Sequence, residues 1–63
     1  MKVWEVDFAE AESPIDSVFE RLVVLAENFE DAVKKASEWK KNEYEGLNLE
    51  IRRVEAIRKV DIT

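Results

Sequence analysis

The sequence predicts an α+β domain with the order β-β-α-β, in which one helix packs on one face of a three-stranded antiparallel sheet of order 2-1-3. Three observations predict it: apolar residues alternate from Lys2 to Ala9, a β-branched apolar run ends at Ala26, and helical spacing begins after Asn28. The helix makes the third strand run parallel to the second, so the first can pair antiparallel with both. A chain of 63 residues is expected to form a single domain.

The first predicted strand has one face for the core and one for solvent. Trp4, Val6 and Phe8 alternate with Glu5 and Asp7, and successive side chains of a strand point to opposite faces. We therefore expect the three apolar side chains to face the helix. The two acids are expected on the other face, where solvation is their simplest role.

The second predicted strand, Val18 to Ala26, also has two different faces. One helix covers only one face of a three-stranded sheet, so the other face and the outer strand edges are expected to be exposed. Exposed apolar side chains that lie together usually mark a contact surface. The residues predicted on this second face are Phe19, Arg21, Val23 and Leu25.

The predicted helix runs from Phe29 to about Glu43. Asn28 can accept hydrogen bonds from the free N–H groups of the first turn, and Gly46, the only glycine, lies where a helix stop is expected. The residues predicted to face the sheet are Phe29, Ala32, Val33, Ala36 and Trp39.

The third predicted strand begins with the alternating residues Leu47, Leu49 and Ile51. After Arg52 and Arg53 the apolar phase slips by one residue. We favour a β-bulge at these arginines, and a bend into a separate terminal segment is the alternative. The residues in phase after the slip are Val54, Ala56, Val60 and Ile62.

The composition argues against an enzyme. The chain contains no His and no Cys, so the commonest general base, the thiol nucleophile and the usual zinc ligands are all missing. One glycine cannot build a phosphate-binding loop, and so small a domain has difficulty enclosing a substrate pocket. We therefore predict no catalytic residue, no cofactor and no metal site.

The expected location is the cytoplasm. The start of the chain lacks the pattern of a signal peptide, and the absence of Cys is compatible with a reducing compartment. The longest apolar run, from Leu22 to Ala26, is far shorter than the roughly 20 residues of a membrane-spanning helix. We expect a soluble protein without a membrane partner.

The whole chain has a net charge of −5, and its acidic residues are concentrated in the first half. Residues 1–31 carry two basic and nine acidic side chains, whereas residues 32–63 carry eight basic and six acidic ones. The acids could serve solubility and the helix dipole, or they could steer the chain towards a basic partner. Direct nucleic-acid binding is not expected without a positive footprint, and DNA mimicry remains a minor alternative.

Several segments of the chain resemble the family of small phage-encoded inhibitors of bacterial RNA polymerase. The resemblance implies a β-β-α-β fold and stoichiometric binding to a host enzyme without catalysis, in the host cytoplasm. In that family two arginines, one residue apart on the last strand, contact the polymerase; Arg53 matches the first, and Glu55 stands at the second. The segments are Lys2-Val3-Trp4, residues 25–32, Glu38-Trp39 and residues 50–54.

The sequence therefore predicts a non-catalytic protein-binding module, either an inhibitor of a host enzyme such as RNA polymerase or a relative with a different target. The alternative is an assembly protein that homo-oligomerises through strand edges or the exposed sheet face. The residues predicted to bind a partner are Arg52, Arg53, Arg58, Glu5, Asp7, Val23 and Leu25.

Overall fold

The computed structural model describes residues 1–60 and confirms the predicted fold class. Three strands form one antiparallel sheet of order β2-β1-β3. The helix packs on one face of this sheet, as predicted. The elements are β1 (Lys2–Glu10), β2 (Glu20–Ala26), α1 (Phe29–Glu43) and β3 (Leu49–Lys59).

The core lies between α1 and the central strand β1. Val6 and Phe8 are fully buried, as are Ala32 and Ala36 on the facing side of the helix. Two small alanine side chains at helical spacing allow the helix backbone to approach the sheet closely, so the larger residues of β1 fill the space between the layers. Trp4 is also buried, and its indole Nε1 donates to the backbone oxygen of Ala26 at 3.1 Å.

The ends of α1 follow the sequence signals. The Asn28 side chain accepts a hydrogen bond from the backbone N–H of Asp31 at 2.9 Å, which satisfies one free donor of the first turn. After the helix, Gly46 has a φ of 92°, a left-handed conformation that glycine adopts without steric cost. Of the residues predicted to face the sheet, Phe29 is an exception, because 55% of it is exposed. It is the first residue of the helix, and its ring makes an edge-to-face contact with Trp4.

The predicted position of Phe19 is wrong. Strand β2 begins at Glu20, two residues later than the predicted start at Val18, and the Phe19 ring packs edge-on against Tyr44 with ring centroids 5.4 Å apart. Tyr44 packs against Trp39, which lies on Phe8 of the core. Phe19 therefore extends the aromatic packing at the end of the helix rather than the opposite sheet face.

The phase slip in β3 is a β-bulge, as favoured from the sequence. Asp7 of β1 pairs with Arg53, and the next residue, Phe8, pairs with Ile51. Arg52 is therefore the extra residue that has no partner on β1. The bend into a separate terminal segment is not observed within the described residues.

A second register shift was not predicted. Trp4 pairs with Ala56 whereas Val3 pairs with Arg58, so Ile57 is a further extra residue in β3. One unpaired residue reverses the faces of all residues that follow it.

Two other predictions for this strand, the phase of Val60 and the start at Leu47, differ from the structure. The expectation that Val60 continues the phase of Val54 is wrong, because the second shift intervenes. Leu47 lies before β3 and is exposed, whereas Ile62 lies outside the described residues.

Candidate functional site

The sheet face opposite α1 brings together all predicted partner-binding residues except Arg52. We call this surface the open face. Its side chains form cross-strand rows, because residues paired in an antiparallel sheet point to the same side. The rows are Leu25-Val3-Arg58, Val23-Glu5-Glu55, Arg21-Asp7-Arg53 and the pair Ala9-Glu50.

A buried carboxylate organises the third of these rows. Asp7 lies on the central strand, and its two oxygens accept hydrogen bonds from Arg21 Nε at 2.7 Å and Arg53 Nε at 2.9 Å. Arg53 also donates to Glu5 and Glu55. Asp7 thereby links both outer strands through their arginines. The charged groups of this row are paired with one another within the chain.

The arginines hold Asp7 in its ionised form. The hydrogen bond from Arg21 lowers the pKa of Asp7 below its ordinary value of 3.8, burial acts in the opposite direction, and Arg53 adds to the lowering. The same hydrogen bond raises the pKa of Arg21. Asp7 is only 3% exposed, so the predictions that it is solvated and that this face is exposed throughout are wrong, because the two guanidinium groups lie over it.

The other end of the open face remains accessible. Val23 is 60% exposed and Leu25 is 44% exposed, and Val3 on the central strand β1 is half-buried. Arg58 borders these residues and forms no ion pair with any of residues 1–60. We call the first two rows the apolar end of the open face.

Arg52 has no paired residue on β1, and its contacts in the structure lie within the chain; its role in binding a partner stays a prediction. Its guanidinium nitrogens donate to the backbone oxygens of Glu10, Ser13 and Pro14, each at 3.1 Å, and one of them pairs with Glu50. The bulge releases Arg52 from the β1 ladder and lets it reach these carbonyls. Arg52 therefore fixes the loop of residues 11–19 through its two terminal nitrogens, whereas its buried Nε has no hydrogen-bond partner among the described residues.

This loop and the segment after the helix together form one strongly acidic end of the molecule. Residues 10–20 and 43–50 meet there, because the Ala11 N–H donates to the Asn48 backbone oxygen at 3.0 Å. The two segments contain seven acids and no Lys or Arg. Within residues 1–60, Glu50 is the only one of these acids in an ion pair. We call them the acidic end: Glu10, Glu12, Asp16, Glu20, Glu43, Glu45 and Glu50.

Exposed apolar side chains accompany these acids. Ile15 is 89% exposed on the loop that Arg52 fixes, and the exposed Leu47 lines a depression of 240 Å³ together with Glu10 and Glu12. The sequence indicated an acidic first half but not that Glu43 and Glu45 join it. Both segments lack Lys and Arg, which is visible in the sequence. That the two segments lie together is shown only by the fold.

The outer strand edges are partly blocked. Lys35 Nζ donates to the backbone oxygen of Leu25 in β2 at 2.7 Å, and Lys40 Nζ donates to that of Leu49 in β3 at 3.0 Å. Strand β3 also carries its two irregularities. Lysines and bulges at sheet edges hinder pairing with another chain.

The part of the chain that is described contains no group of three or more side chains that could hold a metal ion. Over residues 1–60, no helix is long and apolar enough to traverse a lipid bilayer. In comparisons with known proteins, no family model, no curated protein and no solved structure matches the chain.

Proposed function

We propose that the chain is a non-catalytic protein-binding module that docks its acidic end onto a basic surface of a larger host enzyme and thereby inhibits or modulates it. The acidic end is the observation that carries the proposal. Its seven acids, of which only Glu50 forms an ion pair within residues 1–60, supply an attraction that acts before contact and raises the association rate. Ile15, held by an ordered loop, supplies an apolar anchor that loses little conformational freedom on binding.

The chemistry of the acidic end favours one class of partner. Enzymes that act on nucleic acid bind phosphates through surfaces rich in Lys and Arg, and such a surface complements the acidic end. Together with the resemblance to phage-encoded inhibitors, this supports bacterial RNA polymerase as the first candidate partner and a phage origin with action in the host cytoplasm. Arg53 is bound to three acids, so the proposal does not use it for contact.

Two alternatives, homo-oligomerisation through strand edges and direct nucleic-acid binding, have less support. Pairing of strand edges between copies is hindered by Lys35, Lys40 and the bulges of β3. Direct nucleic-acid binding would require phosphates to approach a chain of net charge −5.

The test compares acids at the two ends of the molecule. The chain is immobilised, and binding of purified bacterial RNA polymerase is measured for wild type and for the double variant Glu12→Gln with Asp16→Asn. The matched control is Glu27→Gln with Glu30→Gln, which removes two exposed acids at the opposite end. We expect the first variant to bind about tenfold more weakly and the control to resemble wild type.

Salt and an apolar substitution complete the test. Raising the salt from about 0.05 M to about 0.3 M should weaken binding by wild type, because it shortens the range of the attraction. Ile15→Ser should also weaken binding, whereas Ile57→Ser, a matched change at an exposed isoleucine of β3, should not. Equal loss in both double variants, or a polymerase that does not bind wild type, would reject the proposal.

A further inference from the structure

We infer that a second copy of this chain docks on the apolar end of the open face and forms a two-fold symmetric dimer. This surface is different from the acidic end, so the inference does not rest on the proposed function. Val23 and Leu25 are adjacent exposed residues of one strand. Both side chains remain accessible in the described residues 1–60, and Lys35 occupies the backbone oxygen of Leu25 in the same strand.

The first two rows of the open face are complementary to each other. The row Leu25-Val3-Arg58 and the row Val23-Glu5-Glu55 are two residues apart on β1, which corresponds to about 7 Å along a strand. A two-fold axis that lies between these rows, across the strands, places the first row of one copy over the second row of the other. A contact across such an axis always occurs twice.

The contacts made by the two outer strands match in chemistry, whereas on the central strand Val3 lies over Glu5 of the second copy, a carboxylate that already binds Arg53. Leu25 meets Val23 of the second copy, and Arg58 meets Glu55 of the second copy, at both symmetric positions. Arg58 forms no ion pair with any of residues 1–60. The Glu55 side chain is 60% exposed, and a carboxylate that already binds Arg53 still has acceptor capacity for a second guanidinium.

The distribution of charge over the whole chain also favours this arrangement. The acidic end lies where β1 ends and β2 begins, whereas Val3, Leu25 and Arg58 lie at the other end of the same strands. The two-fold axis makes the strands of the two copies antiparallel, so the acidic ends point away from each other. The molecule is 41 Å long, and salt screens charges beyond about 10 Å, so the net charge of each copy opposes the dimer only weakly.

The apolar part of this interface is small, so the dimer is weak. Two exposed side chains on each copy lie well below the apolar area of a permanent dimer. We expect monomer and dimer to be present together at ordinary laboratory concentrations.

Analytical ultracentrifugation of charge-reversal variants tests the inference. Arg58→Glu and Glu55→Arg each place like charges opposite one another at both symmetric positions, so each variant alone should dimerise at least about tenfold more weakly than wild type. An equimolar mixture of the two variants should recover the dimer, because every substituted side chain then faces an opposite charge. Loss of folding cannot produce such recovery.

Further variants keep the test independent of these two side chains and of the proposed function. Val23→Ser with Leu25→Ser, which adds no charge, should weaken the dimer by a similar factor. This double variant replaces the charge variants in the test if either of them fails to fold. Glu12→Gln with Asp16→Asn should leave the dimer unchanged while it weakens polymerase binding. A wild-type chain that stays monomeric up to millimolar concentration, or a mixture that does not recover the dimer, would overturn the inference.

Discussion

At the scale of single residues, Asp7 determines how the open face is arranged. Its position on the central strand places it opposite Arg21 on one side and Arg53 on the other. The carboxylate is buried, so its charge depends on the two arginines, whereas Arg21 and Arg53 also pair with Glu5. Replacing Asp7 with Asn removes the charge, leaves one acceptor oxygen for two guanidinium groups and places an NH2 donor against one of them.

Asp7→Asn should lower the free energy of unfolding by about 2 kcal/mol. The arginines are partly exposed, so water compensates some of the loss and the effect is smaller than for a fully enclosed ion pair. Urea denaturation at neutral pH measures it. Glu12→Gln, at an exposed position of the loop, serves as the control with an expected change below about 0.5 kcal/mol. Equal stabilities of wild type and Asp7→Asn would show that this contact contributes nothing to the fold.

The lowered pKa of Asp7 also predicts how stability depends on pH. Since the folded-state pKa lies below the ordinary value of 3.8, the unfolded chain binds a proton first as pH falls. The contribution of Asp7 is therefore complete above about pH 4 and is lost as pH falls through the lower folded-state value.

Urea denaturation of wild type and Asp7→Asn at several pH values measures this dependence. Below about pH 4, wild type should lose stability more steeply than the variant. Asp31, whose pKa is lowered mainly by the Glu27 backbone N–H, remains in both proteins, so the difference isolates Asp7. Parallel curves for the two proteins would contradict this assignment.

At the scale of elements, the bulge in β3 connects the sheet to the acidic loop. Arg52 is the extra residue of the bulge, and its guanidinium binds the carbonyl of Glu10 at the end of β1 and those of Ser13 and Pro14 in the segment that joins β1 to β2. The planar group of arginine, with its several fixed donors, suits this task, whereas a lysine ammonium acts as a single point of charge. The loop is therefore ordered by a distant residue of the sequence, because Arg52 lies 39 positions after Ser13.

Arg52→Lys should accelerate hydrogen exchange in the loop without unfolding the sheet. The backbone N–H groups of Ser13 and Ser17, which donate to loop oxygens at 3.0 Å, should exchange about tenfold faster. Mass spectrometry of proteolytic peptides measures this effect. Arg58→Lys is the matched control and should leave residues 11–19 unchanged. Unaltered exchange in Arg52→Lys would mean that the loop is ordered by its own turns alone.

At the scale of the whole molecule, local patterns predict the elements and long-range contacts determine the surfaces. The alternation around Trp4 and Val6 and the cap at Asn28 involve neighbouring residues, so their outcome follows from the sequence. The first bulge was predictable because it shifts the apolar phase of β3. The second was not, because it lies beyond Val54, where exposed residues give no clear alternation.

The candidate surfaces show the same division. Strand alternation correctly placed Val23 and Leu25 on the face opposite the helix. The burial of Asp7 depends on arginines from two other strands. The acidic end likewise depends on the meeting of segments that are separated by a strand and a helix, and neither arrangement has a local signature.

The most direct test of the account is the hydrogen-exchange footprint of the chain when purified bacterial RNA polymerase saturates it. If the acidic end is the docking surface, residues 11–19 and 45–48 should become protected. Residues 21–25 and 55–59 of the open face should exchange as in the free monomer. Protection confined to the open face, or no change in the loop at saturation, would contradict the account.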